Sequence, residues 1–170
     1  MGANAAAPIP EFQLFKGCAM ENQVRIHVDG MPFESPTPSP GADLYELVGV
    51  RDGRALYKEV TGNAEDKLVL IQAPHVHLTQ DEHFHTEELP AHLYLIHINT
   101  DPLFIDHKEV SFEQVVNLAY PVLPGGLDPE FTVSYEHAAS VPHHDDMSKG
   151  QKVEVKKHGT TFDVAHTNRS

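Results

Sequence analysis

The sequence predicts an α+β protein made of two similar small modules, each a mixed β-sheet packed on one helix. Residues 93–121 carry the pattern strand, turn, strand, helix, and residues 24–49 carry the same pattern about seventy residues earlier. Further short strand patterns follow each helix. Two copies of one pattern in 170 residues indicate an internal repeat rather than a solenoid.

The later copy shows the pattern most clearly. Residues 93–98 form a short apolar run typical of a buried strand, residues 99–102 are a turn cluster, and residues 103–105 begin a return strand. Ser111 and Gln114 have the spacing of a helix capping box. One apolar helix face then follows, and Pro121 ends the helix: Phe112, Val115, Val116 and Ala119.

The earlier copy repeats these features more weakly. Val24, Ile26 and Val28 alternate with polar residues, as in a half-buried strand, and the Asp29-Gly30 turn leads to a return strand at Phe33. Asp43, with Glu46 three residues later, predicts a helix start, and Gly49 predicts its end. The apolar face predicted to be buried, and to contact only its own module, consists of Leu44, Leu47 and Val48.

Strand candidates complete both copies. In the earlier copy they are residues 55–60 and 76–78, followed by Phe84; in the later copy they are residues 131–136 and 153–155, followed by Phe162 and Val164. A mixed sheet packed on one helix in this order is the ubiquitin-like β-grasp arrangement.

The amino-acid sequence of the later copy resembles that of the bacterial multiubiquitin family of tandem ubiquitin-like proteins. The resemblance rests on residues 111–119, 131–135, 150–155, 159–162 and 164–167. It covers residues 92–170 well and residues 22–89 more weakly, through residues 26–29 and 47–49. It implies a protein modifier that is conjugated to a target protein by E1-like and E2-like enzymes, together with a processing peptidase.

These patterns predict four segments: a flexible arm at 1–21, a first module at 22–89, a second module at 90–164 and a tail at 165–170, with residues 87–90 as the connection between the modules. Because modules of this size bury only about 60% of their unfolded surface, we expect them to pack on each other or on another chain by self-association. Phe12, Leu14 and Phe15 in the arm either dock on a protein or form an incidental apolar patch.

Composition excludes several classes of protein. Lys and Arg number 12 against 25 Asp and Glu, a net charge of −13, which disfavours a nucleic-acid partner. The single Cys18 excludes an internal disulfide or a thiolate zinc cluster and fits a reducing cytoplasm. The N-terminal residues lack the pattern of a secretory signal, so we expect a cytoplasmic protein without membrane contact.

Catalytic patterns are few. Cys18 lies in the predicted arm with no positioned His nearby, and the only Gly-Gly pair, Gly125-Gly126, falls inside the second module, where we expect a loop. We therefore predict that the protein is not an enzyme and needs no cofactor.

The 13 His residues raise the alternative of a metal site. His75 and His77, with Glu82 following, have the spacing of one metal motif of cupins, provided that both His lie on one face of a strand. The flanking glycines and the second cupin motif are missing. We interpret these His as the polar face of a strand, and His143-His144-Asp145-Asp146 as part of a solvated loop at 137–150.

The tail carries the functional prediction. The resemblance implies that its carboxylate is activated and transferred, which requires residues from Ala165 onward to project into solvent. The competing hypotheses are a non-conjugated interaction or assembly module with a frayed terminus and, less favoured, a small cupin-like metal protein. The predicted conjugation tail consists of Ala165, His166, Thr167, Asn168, Arg169 and Ser170.

Overall fold

The computed structural model describes residues 22–122, 124 and 129–168, which form two five-stranded sheets, a two-stranded ribbon and two helices. The first module contains β1 Asn22–Val28, β2 Met31–Thr37, α1 Gly41–Val48, β3 Arg54–Lys58, β4 Lys67–Leu68 and β5 Glu82–Glu88. The second contains β6 Tyr94–Ile98, β7 Asp101–Ile105, β8 Glu109–Ser111, α2 Phe112–Ala119, β9 Pro129–Glu136, β10 Asp145–Met147, β11 Lys152–Glu154 and β12 His158–Asn168.

The two sheets have the same strand order. The first sheet runs β2-β1-β5-β3-β4 and the second runs β7-β6-β12-β9-β10, so each module places its last long strand in the centre. That central strand pairs in parallel with the module's first strand, β5 with β1 and β12 with β6. All other pairs in the two sheets are antiparallel. This confirms the predicted α+β class and its two tandem β-grasp modules.

The first hairpin of each module turns in the same way. Asp29-Gly30 and Asn99-Thr100 both have positive φ at the two central residues, which is the turn that matches the twist of a hairpin. In both modules the backbone N–H of the first turn residue donates to the central strand, at Phe84 in one and Phe162 in the other. The predicted turn at 99–102 is thus confined to 99–100, and Pro102 lies in β7, an edge strand, where a Pro is tolerated.

Helix α2 forms as the sequence predicts. The Ser111 hydroxyl accepts from the Gln114 N–H at 3.2 Å, and the Gln114 side chain accepts from the Ser111 N–H at 2.9 Å, which completes the capping box. Phe112, Val115 and Val116 are buried in the second module's core.

The prediction that Asp43 caps helix α1 is wrong, because the helix begins at Gly41 with Pro40 as its N-cap and Asp43 lies in its first turn. Its first residue, Gly41, lies so close to the loop after β4 that a Cβ there would be 2.2 Å from the Leu70 carbonyl oxygen, so only glycine fits without a shift of the backbone. The Gly41 N–H donates to the Ala73 carbonyl at 2.8 Å, which fixes the helix start against the following loop. The predicted end at Gly49 is confirmed by its left-handed φ of 68°.

The predicted burial of Leu47 is wrong, because Leu47 is 42% exposed and Tyr45 takes its place in the core. The Tyr45 hydroxyl donates to the Val69 carbonyl at 2.8 Å and accepts from the Leu56 N–H at 2.9 Å, so the phenol satisfies two buried backbone groups. Burial raises the pKa of Tyr45 to about 12. The apolar face of α1 therefore has the same i, i+3, i+4 spacing as that of α2.

Three predicted boundaries differ from the structure. Residues 76–78 do not form a strand, since Val76 makes only an isolated bridge with Ser39. Residues 87–88, predicted as part of the connection, complete β5. The predicted loop at 137–150 contains β10.

The two modules contact each other through the outer face of the second sheet. Leu95 and Phe104 belong to the second module but are buried in the first module's core cluster. The Phe104 ring stands edge-on to Tyr45 with ring centroids 5.9 Å apart. The Gln72 amide donates to the Phe104 carbonyl and accepts from its N–H, both at 3.2 Å, as a paired strand would. The prediction that each helix face contacts only its own module is confirmed for α2, whose buried residues lie in a core cluster of second-module residues alone, whereas Tyr45 of α1 contacts Phe104 of the other module.

The connection between the modules is held by Lys157. Its ammonium donates to the Pro90 carbonyl and to the Leu93 carbonyl, the latter at 2.5 Å, and lies 5.3 Å from the centre of the Tyr94 ring. Desolvation lowers the pKa of Lys157. The connection is thus bound to the turn between β11 and β12 of the second module.

Several predictions concern residues outside the described part of the chain. They are the arm at 1–21 with Cys18, the Gly125-Gly126 loop, and Arg169 and Ser170. Neither of the two described helices is long and apolar enough to cross a membrane.

Candidate functional site

The last strand of the second sheet is the candidate site, because it contains most of the predicted conjugation tail. β12 pairs with β6 from His158 to Phe162 and with β9 from Thr161 to Asn168. Within the described residues, its final stretch from Ala165 to Asn168 is therefore paired on one side only. The other side of this stretch is a short strand edge, hereafter the open edge of β12.

The prediction that the chain projects freely into solvent from Ala165 onward is wrong for Ala165–Asn168. These residues face Thr132, Phe131, Glu130 and Pro129 of β9 in antiparallel register. The side chains of residues 165–167 are nevertheless exposed, so this part of the tail is ordered in its backbone and accessible in its side chains.

Asn99 determines where β12 separates from β6. Its side-chain oxygen accepts from the Val164 N–H at 2.7 Å, and its amide nitrogen donates to the Val164 carbonyl at 3.2 Å. In the first module the Asp29 carboxylate accepts from the Thr86 N–H at 3.1 Å and from the Thr86 hydroxyl at 2.8 Å. Thr86 and Val164 both lie two residues after the central Phe of their strand. The two modules therefore share this hydrogen-bonded contact, which is made by the Asp29 carboxylate in the first and by the Asn99 amide in the second.

A cluster of rings, Tyr120, Phe131 and His166, fastens the tail beyond this point. The His166 Nδ1 lies 3.2 Å from the Tyr120 hydroxyl, and the two ring centroids are 5.1 Å apart. The centroid of the Phe131 ring lies 5.5 Å from that of Tyr120 and 6.3 Å from that of His166. The ring cluster therefore joins the end of α2, strand β9 and the tail, and it opposes any event that lifts the tail off β9.

The surface beside the tail is polar. A shallow pocket of about 340 Å³ on the outer face of the sheet is lined by groups that include Ser134, Asp146, Asp163 and Ala165. The Ser134 hydroxyl can donate and accept hydrogen bonds, and the carboxylates of Asp146 and Asp163 can accept them. The arrangement is suited to holding a peptide or a basic side chain next to the tail.

The other candidate residues are not gathered at this site. His75 and His77 flank Val76, whose isolated bridge does not extend into the strand that the cupin pattern requires. Glu82 is bound to the Lys58 ammonium at 2.5 Å and to the Thr79 hydroxyl at 3.0 Å. In the described part of the chain, no group of three or more His, Cys, Asp or Glu residues is arranged to hold a metal ion.

The candidate metal ligands in the predicted loop at 137–150 also have local structural roles. The His143 Nδ1 lies 3.0 Å from the Ala138 carbonyl oxygen, so this ring closes its own loop. Asp145 and Asp146 are part of β10, the edge strand that pairs with β9.

Sequence reasoning led us to expect that the modules pack on each other or on another chain, but it did not identify the residues of the contact. Leu95 and Phe104 occupy outward-facing positions on β6 and β7, where strand alternation predicts polar residues if the face is solvated. The apolar residues at these two facing positions indicate that another part of the protein covers this face of the sheet.

The two modules have the same strand order, and the second ends in a strand that is held by β9 and has an open edge. This architecture defines a tandem ubiquitin-like β-grasp protein. The model of the multiubiquitin family matches residues 94–168, so this chain contains a multiubiquitin domain. The match begins at the first residue of β6 and ends at the last residue of β12. No curated protein matches the chain.

Proposed function

We propose that this protein is a bacterial, cytoplasmic ubiquitin-like modifier, joined through a carboxylate at or beyond its β12 tail to amines of target proteins. The observation that carries the proposal is the open edge of β12 in a multiubiquitin domain. Partner enzymes of the E1-like and E2-like classes and a processing peptidase supply the catalysis. This chain supplies the reacting carboxylate and a folded handle.

The open edge suits recognition by strand addition. A partner strand that pairs with Ala165–Asn168 on the side opposite β9 gains main-chain hydrogen bonds and holds the tail in extended form. An extended tail is the form that can enter a narrow active site, and the residues beyond Asn168 then reach the reacting centre. The E1-like enzyme activates the carboxylate as an acyl adenylate from ATP, with release of pyrophosphate. AMP leaves as the acyl group is transferred, and the lysine amine ends in an amide bond, so the two joined proteins together lose the mass of one water.

The fastening of the tail favours a second candidate function. Pairing with β9 and the ring cluster keep Ala165–Asn168 on the module, as expected for an interaction or assembly protein that is never conjugated. In that function the open edge binds a partner strand and no covalent bond follows.

Co-expression with E1-like and E2-like enzymes separates the two functions. We expect higher-mass species whose intact mass exceeds that of the target by the mass of the modifier minus one water. A chain lacking residues 165–170 should form none, whereas a chain lacking residues 1–21 should still form them.

Removal of residues 165–170 also removes four strand pairs, so its fold must be checked by thermal unfolding. A second truncation, which removes only Arg169 and Ser170, leaves the described strand intact and shows whether the reacting carboxylate lies at the end of the sequence. Conjugates that persist without residues 165–170 would falsify the modifier proposal. Active enzymes that give no conjugate with the complete chain would favour the assembly function.

A further inference from the structure

An apolar groove of about 330 Å³ lies where the two modules meet. Pro40, Ala42 and Ala73 line it from the first module, and Leu103 and Leu118 line it from the second. Leu118 is 38% exposed at the groove, a large share for a leucine on the same helix as three buried core residues. The groove therefore presents apolar surface from both modules at once.

Leu47 provides an internal comparison. It occupies the position on α1 that Leu118 occupies on α2, and it is exposed to a similar degree, at 42%. Leu47 does not line the groove. The two leucines thus differ in location while sharing helix position and exposure, which makes them a matched pair for mutation.

The arm at 1–21 joins the folded chain close to this groove. Asn22 pairs with Thr37, and Pro40 follows Thr37 by three residues. A facing pair in an antiparallel ladder is separated by about 5.5 Å, and three residues span at most about 11 Å. The start of β1 is therefore within about 16 Å of the groove.

The arm is long enough and has suitable chemistry. Phe15 precedes Asn22 by seven residues, a reach of up to about 25 Å when the chain is extended. Phe12, Leu14 and Phe15 are the largest apolar residues of the arm near this distance, and Lys16 follows them directly. Lys16 has a partner of opposite charge available, because the exposed carboxylate of Asp101 lines the groove.

We propose that the arm folds back on its own chain and that Phe12, Leu14 and Phe15 cover the groove between the modules, with Lys16 beside Asp101. A short tether raises the effective concentration of the arm at the groove to about the millimolar range, which favours this segment over the same segment of a second copy. The docked arm contacts both modules and so holds them in one relative orientation. The proposal is independent of conjugation.

Cys18 allows a direct test, because it is the only cysteine in the chain and lies three residues from Phe15. A nitroxide attached to Cys18 of the complete, ¹⁵N-labelled protein should cause a localised loss of amide signal at Leu103, Leu118 and Ala73, relative to the same sample after reduction of the nitroxide. Loss spread evenly over the surface, or centred away from the groove, would overturn the proposal.

The matched variants test the groove itself. Leu118→Asp should abolish the localised loss, whereas Leu47→Asp should leave it unchanged. A chain with Phe12→Ser and Phe15→Ser should also lose it, and this variant alters only the arm, so it keeps the test valid if Leu118→Asp unfolds. Localised loss that survives the arm substitutions contradicts the proposal.

A mixed sample distinguishes the occupants. ¹⁵N-labelled chain without nitroxide is combined with nitroxide-bearing chain that carries no ¹⁵N. Signal loss at the groove in this mixture would assign the groove to the arm of a second copy and would overturn docking within one chain. Unchanged signals in the mixture, together with localised loss in the single sample, are the expected result.

Discussion

Phe104 connects the two modules, and replacing it with Ala tests whether they stabilise each other. The ring is 6% exposed on the outer face of a sheet and packs against Tyr45 of the other module. Truncating a buried Phe to Ala typically costs about 3–5 kcal/mol, of which about 0.5–1.5 kcal/mol belongs to an aromatic pair. Because the Gln72 hydrogen bonds are made to the Phe104 backbone and survive the change, we expect the lower end, about 3 kcal/mol.

That loss is large on the scale of one module. Residues 22–89 have an expected stability of roughly 3–10 kcal/mol, from the usual range per residue. Urea unfolding and calorimetry should therefore change from one cooperative transition in the parent to two transitions in Phe104→Ala.

Glu34 provides the control, because it lies at the same position of the first module's hairpin and is exposed. Glu34→Ala should shift the free energy of unfolding by less than about 0.5 kcal/mol and leave a single transition. The reasoning fails if Phe104→Ala behaves like Glu34→Ala.

Three further predictions follow from individual residues. Tyr45→Phe leaves two buried backbone groups without their hydroxyl partner and should cost about 1–3 kcal/mol of unfolding free energy, measured by urea denaturation. Gly41→Ala places a methyl group against the Leu70 carbonyl oxygen, and we expect a clear fall in Tm, whereas Gly49→Ala, which meets no atom within 4 Å, should lose only the benefit of its left-handed backbone. Hydrogen bonds from Thr86 hold the pKa of Asp29 below its ordinary value of 3.8. The stabilisation of the fold by the ionised Asp29 is therefore present above about pH 4 and is lost as the pH falls through the folded pKa. Asp29→Asn should flatten the dependence of unfolding free energy on pH in that acid range.

Local features were predictable from the sequence where one residue and its near neighbours determine the structure. Ser111 and Gln114 form a capping box because their spacing alone brings both side chains to the helix start. The two hairpin turns were likewise visible in Asp29-Gly30 and Asn99-Thr100. Repetition of such local features was enough to predict the class of fold.

Features that depend on distant partners were not predictable in this way. Tyr45 replaces Leu47 in the core only because buried backbone groups of β3 and of the chain after β4 lie where its hydroxyl can meet them. Ala165–Asn168 are ordered only because β9 extends to Pro129, within a stretch whose Pro and Gly content predicts a loop. In both cases the deciding partner is remote in sequence and has no local pattern of its own.

The first hairpins of the two modules differ in the polarity of their outer faces, so the two modules are not interchangeable in the contact between them. Leu95 faces Phe104 in the second module, while the same two positions in the first module hold Arg25 and Glu34, joined at 3.2 Å. An exposed ion pair of this kind contributes little to stability, about 0–1 kcal/mol, but it is costly to bury beneath an apolar helix face. The outer face of the first module is therefore adapted to water, and the corresponding face of the second is adapted to its neighbour. The ion pair of Arg25 and Glu34 therefore makes the outer face of the first module unsuited to the type of stacking seen between these modules.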